Sequence, residues 1–198
     1  MPGIRQDLRR AVQALAFRQS GYFTAAQALQ IGYSYQAQKH HADTGNWTRV
    51  DRGIFRLPDW PGAVDDAFVR WSLWSHGRGV VSHESALSHH GLSDVDPTHI
   101  HLTVSTGFHA RDPAVSLHYA EVPEADQEVH SGWSVTTPLR TLVDVAGGDL
   151  SPEHVDRAVS DALAAGLVTR RRLLRRTAEE PERPSLRLER ALAKVHDV

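Results

Sequence analysis

The chain has 198 residues, of which 40% are hydrophobic and 23% are charged, as in an ordinary globular protein of one medium or two small domains. No apolar run approaches the ~20 residues that cross a bilayer, and the N-terminal segment lacks the apolar core of a secretory signal. Because cysteine is absent, disulfides, thiolate zinc sites and cysteine nucleophiles are excluded. We therefore expect a cytoplasmic protein with no membrane partner.

The net charge of −2 conceals three segments of different sign. Residues 1–60 carry 8 Lys and Arg against 4 Asp and Glu, residues 61–168 carry 5 against 15, and residues 169–198 carry 9 against 5. Basic surfaces attract nucleic acid, and acidic surfaces repel it. The two ends are therefore the segments suited to nucleic acid, and the middle is suited to a different partner.

The first sixty residues predict three helices followed by a β-hairpin. Apolar residues recur at helical spacing through 4–18, and Thr24 and Ser34 are suitable N-caps for two further short helices. Two β-prone runs, "WTRV" and "IFRL", flank a turn that ends at Gly53. This order is typical of a winged helix-turn-helix, and we predict such a DNA-binding domain over residues 1–60.

The third predicted helix and the hairpin carry the side chains that would meet DNA. Glutamine pairs with adenine, lysine reaches guanine or phosphate, and arginines on a wing contact the backbone or the minor groove. Tyr33 and His41 are expected to pack inward. A solvated polar helix in a protein-interaction module stays open as an alternative. The predicted DNA contacts are Ser34, Tyr35, Gln36, Gln38, Lys39, His40, Arg49, Arg52 and Arg56.

Residues 61–198 predict a second domain of mixed composition. Helical spacing recurs in several segments, and three runs, "THIHLTV", "VSLHYAEV" and "GWSVTT", alternate in polarity as half-buried strands do. The predicted fold class is α+β: an N-terminal winged helix-turn-helix followed by a C-terminal domain in which a small antiparallel sheet packs with helices.

A run of arginines follows the predicted N-cap Thr169. It can form a second phosphate-contacting surface, or it can pair with the acidic middle of the chain, and charge runs are usually solvated helix faces. Both interpretations stay open. The residues concerned are Arg170, Arg171, Arg172, Arg175 and Arg176.

The histidine-rich stretch "VSHESALSHHGL" raises the question of a metal site. His83 and His90 share a helix face, and His99 and His101 could add ligands from a strand, but the H-E-x-x-H spacing of zinc hydrolases is absent. Capping and packing are the favoured interpretation, with a metal-dependent enzyme as a minor alternative. No nucleophile elbow or phosphate-binding glycine loop occurs either. We therefore predict neither catalysis nor a metal or cofactor.

Several segments together resemble a known family. They are "GYFTAAQALQIGYSYQAQKHHADTGNWTRVDRGIFRLP", "VSHESALSHHGLSD", "IHLTV" and "TTPLRTLVDVA", which span roughly residues 20–165. They resemble the AbiEi-type antitoxins of abortive-infection, or type IV, toxin–antitoxin pairs. The resemblance implies a winged helix that binds its own promoter through inverted repeats, a C-terminal domain of residues 61–198 tied to antitoxin action, and a nucleotidyltransferase-like toxin as partner.

These observations lead to one favoured function and one alternative. The favoured function is sequence-specific binding of double-stranded DNA, which represses the chain's own promoter, combined with antitoxin activity. The alternative is a protein-interaction module that neutralises a toxin by direct contact without binding DNA.

Overall fold

The structure is a computed structural model that describes residues 2–195. The chain forms two compact units, one running to Gly77 and including His130–Trp133, the other comprising Arg78–Val129 and the chain from Ser134 onward. A helix at Asp66–Trp74, beyond the predicted boundary at residue 60, belongs to the first unit. The functional division at residue 60 stays a prediction.

The first unit consists of short helices and one small sheet. Its strands are all antiparallel and lie in the order β1-β3-β2. The elements in chain order are α1 (Pro2–Phe17), β1 (Tyr22–Thr24), α2 (Ala25–Ile31), α3 (Tyr35–Asp43), β2 (Thr48–Asp51), β3 (Ile54–Arg56) and α4 (Asp66–Trp74).

Local sequence signals account for this arrangement. Thr24 and Gln27 form a capping box at the start of α2, with each side chain bound to the other residue's backbone N–H. Ser34 accepts a hydrogen bond from the Ala37 N–H and begins α3. Gly53 takes the positive φ, 74°, that the tight turn between β2 and β3 requires. The predicted order of three helices followed by a β-hairpin is present in this segment, and its assignment as a DNA-binding winged helix-turn-helix stays a prediction.

The remaining elements form a second sheet with helices around it. Its strand order is β6-β5-β4-β8-β7. The elements are β4 (Val80–Val81), α5 (His83–His90), β5 (Ile100–Val104), β6 (Val115–Tyr119), a 3-10 turn (Glu124–Asp126), β7 (Gln127–His130), β8 (Trp133–Thr136), α6 (Pro138–Gly147), α7 (Pro152–Ala164), α8 (Arg170–Thr177) and α9 (Glu182–Lys194).

The α+β class is confirmed, but the second sheet is mixed rather than antiparallel. Strands β5 and β6 run parallel, as do β4 and β8, while β4 and β5 run antiparallel. Alternation of polar and apolar residues determines which face of a strand is buried, but it carries no information on strand direction. The two-residue strand β4 and the strand β7 escaped the sequence analysis because neither carries a clear alternating pattern.

The second unit is stabilised by a helical core. Apolar stripes of α6, α7 and α9 meet in one cluster, in which Leu142, Val159 and Leu188 are fully buried.

No helix within the described residues is both long and apolar enough to cross a bilayer.

Candidate nucleic-acid interface

One face of α3 is open to solvent and polar. Tyr35, Gln36, Lys39, His40 and Asp43 are all exposed, and Tyr35 keeps 67% of its surface accessible. At 3.6 residues per turn these five positions cover about 140° of the helix. We call them the α3 face. Asp43, absent from the predicted set, forms an ion pair with Lys39 on this face.

Gln38 was predicted to contact DNA, and the structure contradicts this. Its side chain is only 2% exposed and lies on the opposite side of α3. The amide donates to the Ala25 and Tyr33 carbonyl oxygens, at 3.1 and 3.0 Å. Gln38 therefore ties α3 to the start of α2 and to the turn between the two helices, because a buried amide needs internal partners.

The hairpin brings a cation beside the α3 face. Arg49, on β2, lines a concavity of about 410 Å³ together with Tyr35 and Lys39. Its guanidinium lies 5.3 Å from the centre of the Phe55 ring, a cation–π contact. Arg52 is exposed in the turn of the hairpin and forms no ion pair with any residue between 2 and 195.

Arg56 was predicted to contact DNA, but its guanidinium is bound within the first unit. It forms an ion pair with Asp66, donates to the Ser20 and Pro61 carbonyl oxygens, and lies 4.7 Å from the Tyr22 ring centre. Only 22% of its side chain is exposed. Arg56 therefore joins β3 to α4 and is corrected to a structural residue.

A second concavity lies on the other side of α3. It measures about 870 Å³ and is lined by Arg5 and Arg9 of α1 as well as by His40. Within it, His41 stacks on Trp47 with ring centroids 4.7 Å apart, and burial lowers the pKa of His41. The inward packing predicted for His41 is thus confirmed. Tyr33, 7% exposed, is likewise a core residue as predicted.

The arginine run on α8 contains side chains that bind groups of the chain itself and side chains that form no ion pair with the described residues. Arg170 donates to the Leu192 and Val195 carbonyl oxygens at the end of α9. Arg176 is half-buried, and acids of the chain occupy its guanidinium in ion pairs. The arginines of this run that are exposed, with no ion pair among the described residues, are Arg171, Arg172 and Arg175.

Arg176 belongs to a half-buried network centred on Asp126. The Asp126 carboxylate lies 3.1 Å from Arg176 and 3.4 Å from Arg140. Glu180 and Asp144 provide the second partners of the two arginines, at 2.6 and 2.7 Å. Burial raises the pKa of Asp144 to about 6 in spite of Arg140. An acid of the middle segment thus holds a cation of the arginine run, as one of the two interpretations expected.

The histidine-rich stretch brings together side chains from three elements. Glu84 lies on α5, His101 on β5 and His118 on β6, and one ligand atom from each lies within 4.8 Å of the others. His99 is exposed and its Nδ1 lies 2.9 Å from the Thr98 hydroxyl instead. His90 Nε2 contacts the Thr136 carbonyl oxygen at 2.8 Å. Sequence reasoning missed His118, since only the parallel pairing of β5 with β6 places it beside His101.

Burial dominates the electrostatics of this cluster. The pKa of His83 is lowered to about 3 and that of His118 to about 4, with burial as the largest cause and neighbouring histidines as a further one. Burial alone would raise the pKa of Glu84, but contact with His101 lowers it to about 2. The cluster therefore presents the Glu84 carboxylate beside the neutral imidazoles of His83 and His118 at neutral pH. Ser82 precedes α5 but its side chain does not cap the helix, because its hydroxyl binds His83 and Thr103.

Comparison with known proteins supports the same architecture. A family model described as the AbiEi antitoxin C-terminal domain matches residues 79–194, more than half of the chain. Three solved chains match, among them the crystal structure of the RV2827C protein from Mycobacterium tuberculosis. It has a TM-score of 0.59 and 18% identity over 96% of this chain and 82% of that chain, a likeness of fold. No curated protein matches at a significant level.

Proposed function

Because the chain belongs to the AbiEi antitoxin family, we propose that it is an antitoxin that also binds double-stranded DNA and represses its own promoter. The observation that carries the DNA-binding part is the α3 face, which is polar and exposed and has Arg49 beside it. A helix of this kind enters the major groove, and an adjacent hairpin contacts the backbone or the minor groove.

Within this proposal the α3 face reads the bases. Gln36 is suited to pair with adenine, while Lys39 reaches guanine or phosphate, and Ser34, Tyr35 and His40 contact the adjoining backbone. The Lys39–Asp43 ion pair is a weak obstacle, because its side chains are 73% and 59% exposed and exposed pairs contribute about 0–1 kcal/mol. Phosphate can therefore replace Asp43 as the partner of Lys39.

The wing supplies contacts that do not depend on sequence. Arg49 and Arg52 are proposed to bind phosphates, or the adjacent minor groove, on either side of the bases read by α3. With half-sites arranged as inverted repeats, two copies of the chain would cover the promoter and exclude RNA polymerase.

The antitoxin part of the proposal rests on family membership and concerns the second unit. We propose a nucleotidyltransferase-like toxin as partner and a cytoplasmic location for the pair. Binding and occlusion account for both activities without a catalytic step, so we infer that the chain is not an enzyme.

The decisive experiment is selection of DNA fragments by the purified protein, followed by sequencing of the retained fragments. We expect enrichment of a motif with two related half-sites. Gln36→Ala should then weaken binding to the selected duplex by about 1–3 kcal/mol and leave binding to a scrambled duplex unchanged. Gln6→Ala, an exposed glutamine of α1, is the matched control and should change neither. Absence of any enriched motif would refute sequence-specific binding.

The alternative function is neutralisation of a toxin by direct contact alone. Family membership favours this candidate as much as it favours the antitoxin part of the main proposal. Co-purification with the product of the neighbouring gene, combined with a mobility-shift assay on the upstream DNA, separates the two. Retention of the neighbour without a shift would support the alternative, whereas a shift would support the repressor.

A further inference from the structure

Glu84, His101 and His118 form a cluster on α5, β5 and β6. The function proposed above assigns no role to these three side chains. We propose that Glu84, His101 and His118 bind one divalent transition-metal ion, with Zn²⁺ as the best match. Two imidazole nitrogens and one carboxylate oxygen form a donor set that zinc accepts in proteins. The proposed ion would join one helix to two strands within the second unit.

The distances between the donor atoms fit this proposal. Nδ1 of His101 lies 2.8 Å from Glu84 Oε2 and 3.0 Å from His118 Nε2. Ligands placed tetrahedrally around Zn²⁺ at bond lengths of about 2.0–2.1 Å are separated by roughly 3.3 Å. These two pairs therefore need to move apart by only a few tenths of an ångström to admit the ion, and the ligand atoms of Glu84 and His118 lie within 4.8 Å of each other.

Hydrogen bonding alone leaves this arrangement incomplete. Nδ1 of His101 carries at most one proton, so it cannot donate to both Glu84 and His118. Oε2 of Glu84 is buried and has no hydrogen bond of standard geometry among the described residues, although it lies 2.8 Å from His101 Nδ1. Buried acceptors without a partner are rare and costly, and a cation at the centre would satisfy all three lone pairs at once.

The surrounding residues hold the three donors in place. The His101 N–H donates to the Ser85 hydroxyl at 2.9 Å, which anchors the strand to α5. His83 stacks on His118 with ring centroids 3.4 Å apart. Its backbone has a φ of +50°, a left-handed conformation that is strained for a histidine and is typical of functional sites. His83 is thus positioned to support His118.

The test uses the full chain, produced without a polyhistidine tag and treated with EDTA. The protein is dialysed against ZnCl₂, bound zinc is quantified by mass spectrometry, and affinity is measured by competition with a chromophoric chelator. We expect one equivalent of zinc and a rise in Tm. Glu84→Gln and His118→Gln should each weaken binding at least about a hundredfold, at or above the 10–100-fold typical of losing an outer-shell partner.

The chain contains 13 histidines, so a matched control is required. His99→Gln alters an exposed histidine near the same strand and should bind zinc like the unmodified protein. If the ligand variants fail to fold, ¹⁵N–¹H spectra of the imidazoles in the unmodified protein provide the second measurement, with zinc shifting the ligating nitrogens of His101 and His118. Less than stoichiometric zinc, shifts confined to other histidines, or equal affinity in His118→Gln and His99→Gln would overturn the proposal.

Discussion

The chain carries two arginine-bearing surfaces that look alike in sequence and differ in structure. On the hairpin, Arg49 lies beside the α3 face and Arg52 is exposed in the turn. On α8, Arg176 is held by Asp126 and Glu180, and Arg170 binds carbonyl oxygens at the end of α9. The number of arginines in a segment therefore overstates the positive charge that is available to a binding partner. Some of the guanidinium groups are already bound to acids or carbonyl oxygens of the chain itself.

The largest effect that can test this contrast comes from the network around Asp126. Asp126→Ala leaves Arg140 and Arg176 half-buried with fewer partners, and breaking a buried pair costs about 3–5 kcal/mol. We expect a loss near the lower end, about 3 kcal/mol, since Asp144 and Glu180 remain. Urea unfolding measures the change in free energy of unfolding.

The control for this variant is Asp149→Ala. Asp149 also pairs with an arginine, Arg183, at 2.8 Å, but its side chain is 98% exposed. Its removal should cost less than about 0.5 kcal/mol. If both substitutions had the same small effect, the network would contribute no more than an ordinary surface pair, and Arg176 would be available to other partners.

A smaller effect is expected at Gln38, the buried member of the predicted recognition set. Gln38→Ala removes both donors to the Ala25 and Tyr33 carbonyl oxygens, and buried acceptors left unpaired cost about 1–3 kcal/mol. Gln36→Ala, two residues away and exposed, should change the free energy of unfolding by less than about 0.5 kcal/mol. A Gln38→Ala protein of unchanged stability that failed only on the selected DNA would restore Gln38 as a base-reading residue.

The difference between Gln36 and Gln38 shows where sequence reasoning ends. The N-caps Thr24 and Ser34 and the turn glycine Gly53 act through contacts within a few residues, so the sequence predicts the first sixty residues well. In a nine-residue helix with few aliphatic residues, the inner face has no apolar stripe to reveal it. Polarity alone therefore cannot separate a base-reading glutamine from a structural one.

The second unit shows the same limit over longer distances. His118 is separated from Glu84 by more than thirty residues, and the two become neighbours only because β6 pairs with β5 in parallel. Parallel pairing depends on crossover connections that have no local sequence signal. The helices of this unit, in contrast, follow from apolar spacing and from N-caps such as Thr137 and Thr169, and the sequence predicts them.

A still smaller effect, seen in DNA binding rather than in stability, distinguishes the two kinds of hairpin arginine. Arg52→Ala should weaken binding to selected and scrambled duplexes alike, and should reduce the slope of log K against log salt by about 1. Arg56→Ala removes an ion pair with Asp66, so it should lower stability and leave the salt slope unchanged. Measuring DNA affinity over a range of salt concentrations distinguishes the two variants. An unchanged slope of log K against log salt for Arg52→Ala would show that the hairpin does not contact phosphate.

The smallest effect is expected for the solvent-facing arginines of α8. Joint replacement of Arg171, Arg172 and Arg175 by glutamine should change the free energy of unfolding by less than about 0.5 kcal/mol per site, as for other exposed positions. Because charge runs are usually solvated helix faces, the salt slope of DNA binding should equal that of the unmodified protein. A lower slope would reverse this expectation: it would identify α8 as a second phosphate-contacting surface formed by the arginines that the internal ion pairs leave exposed.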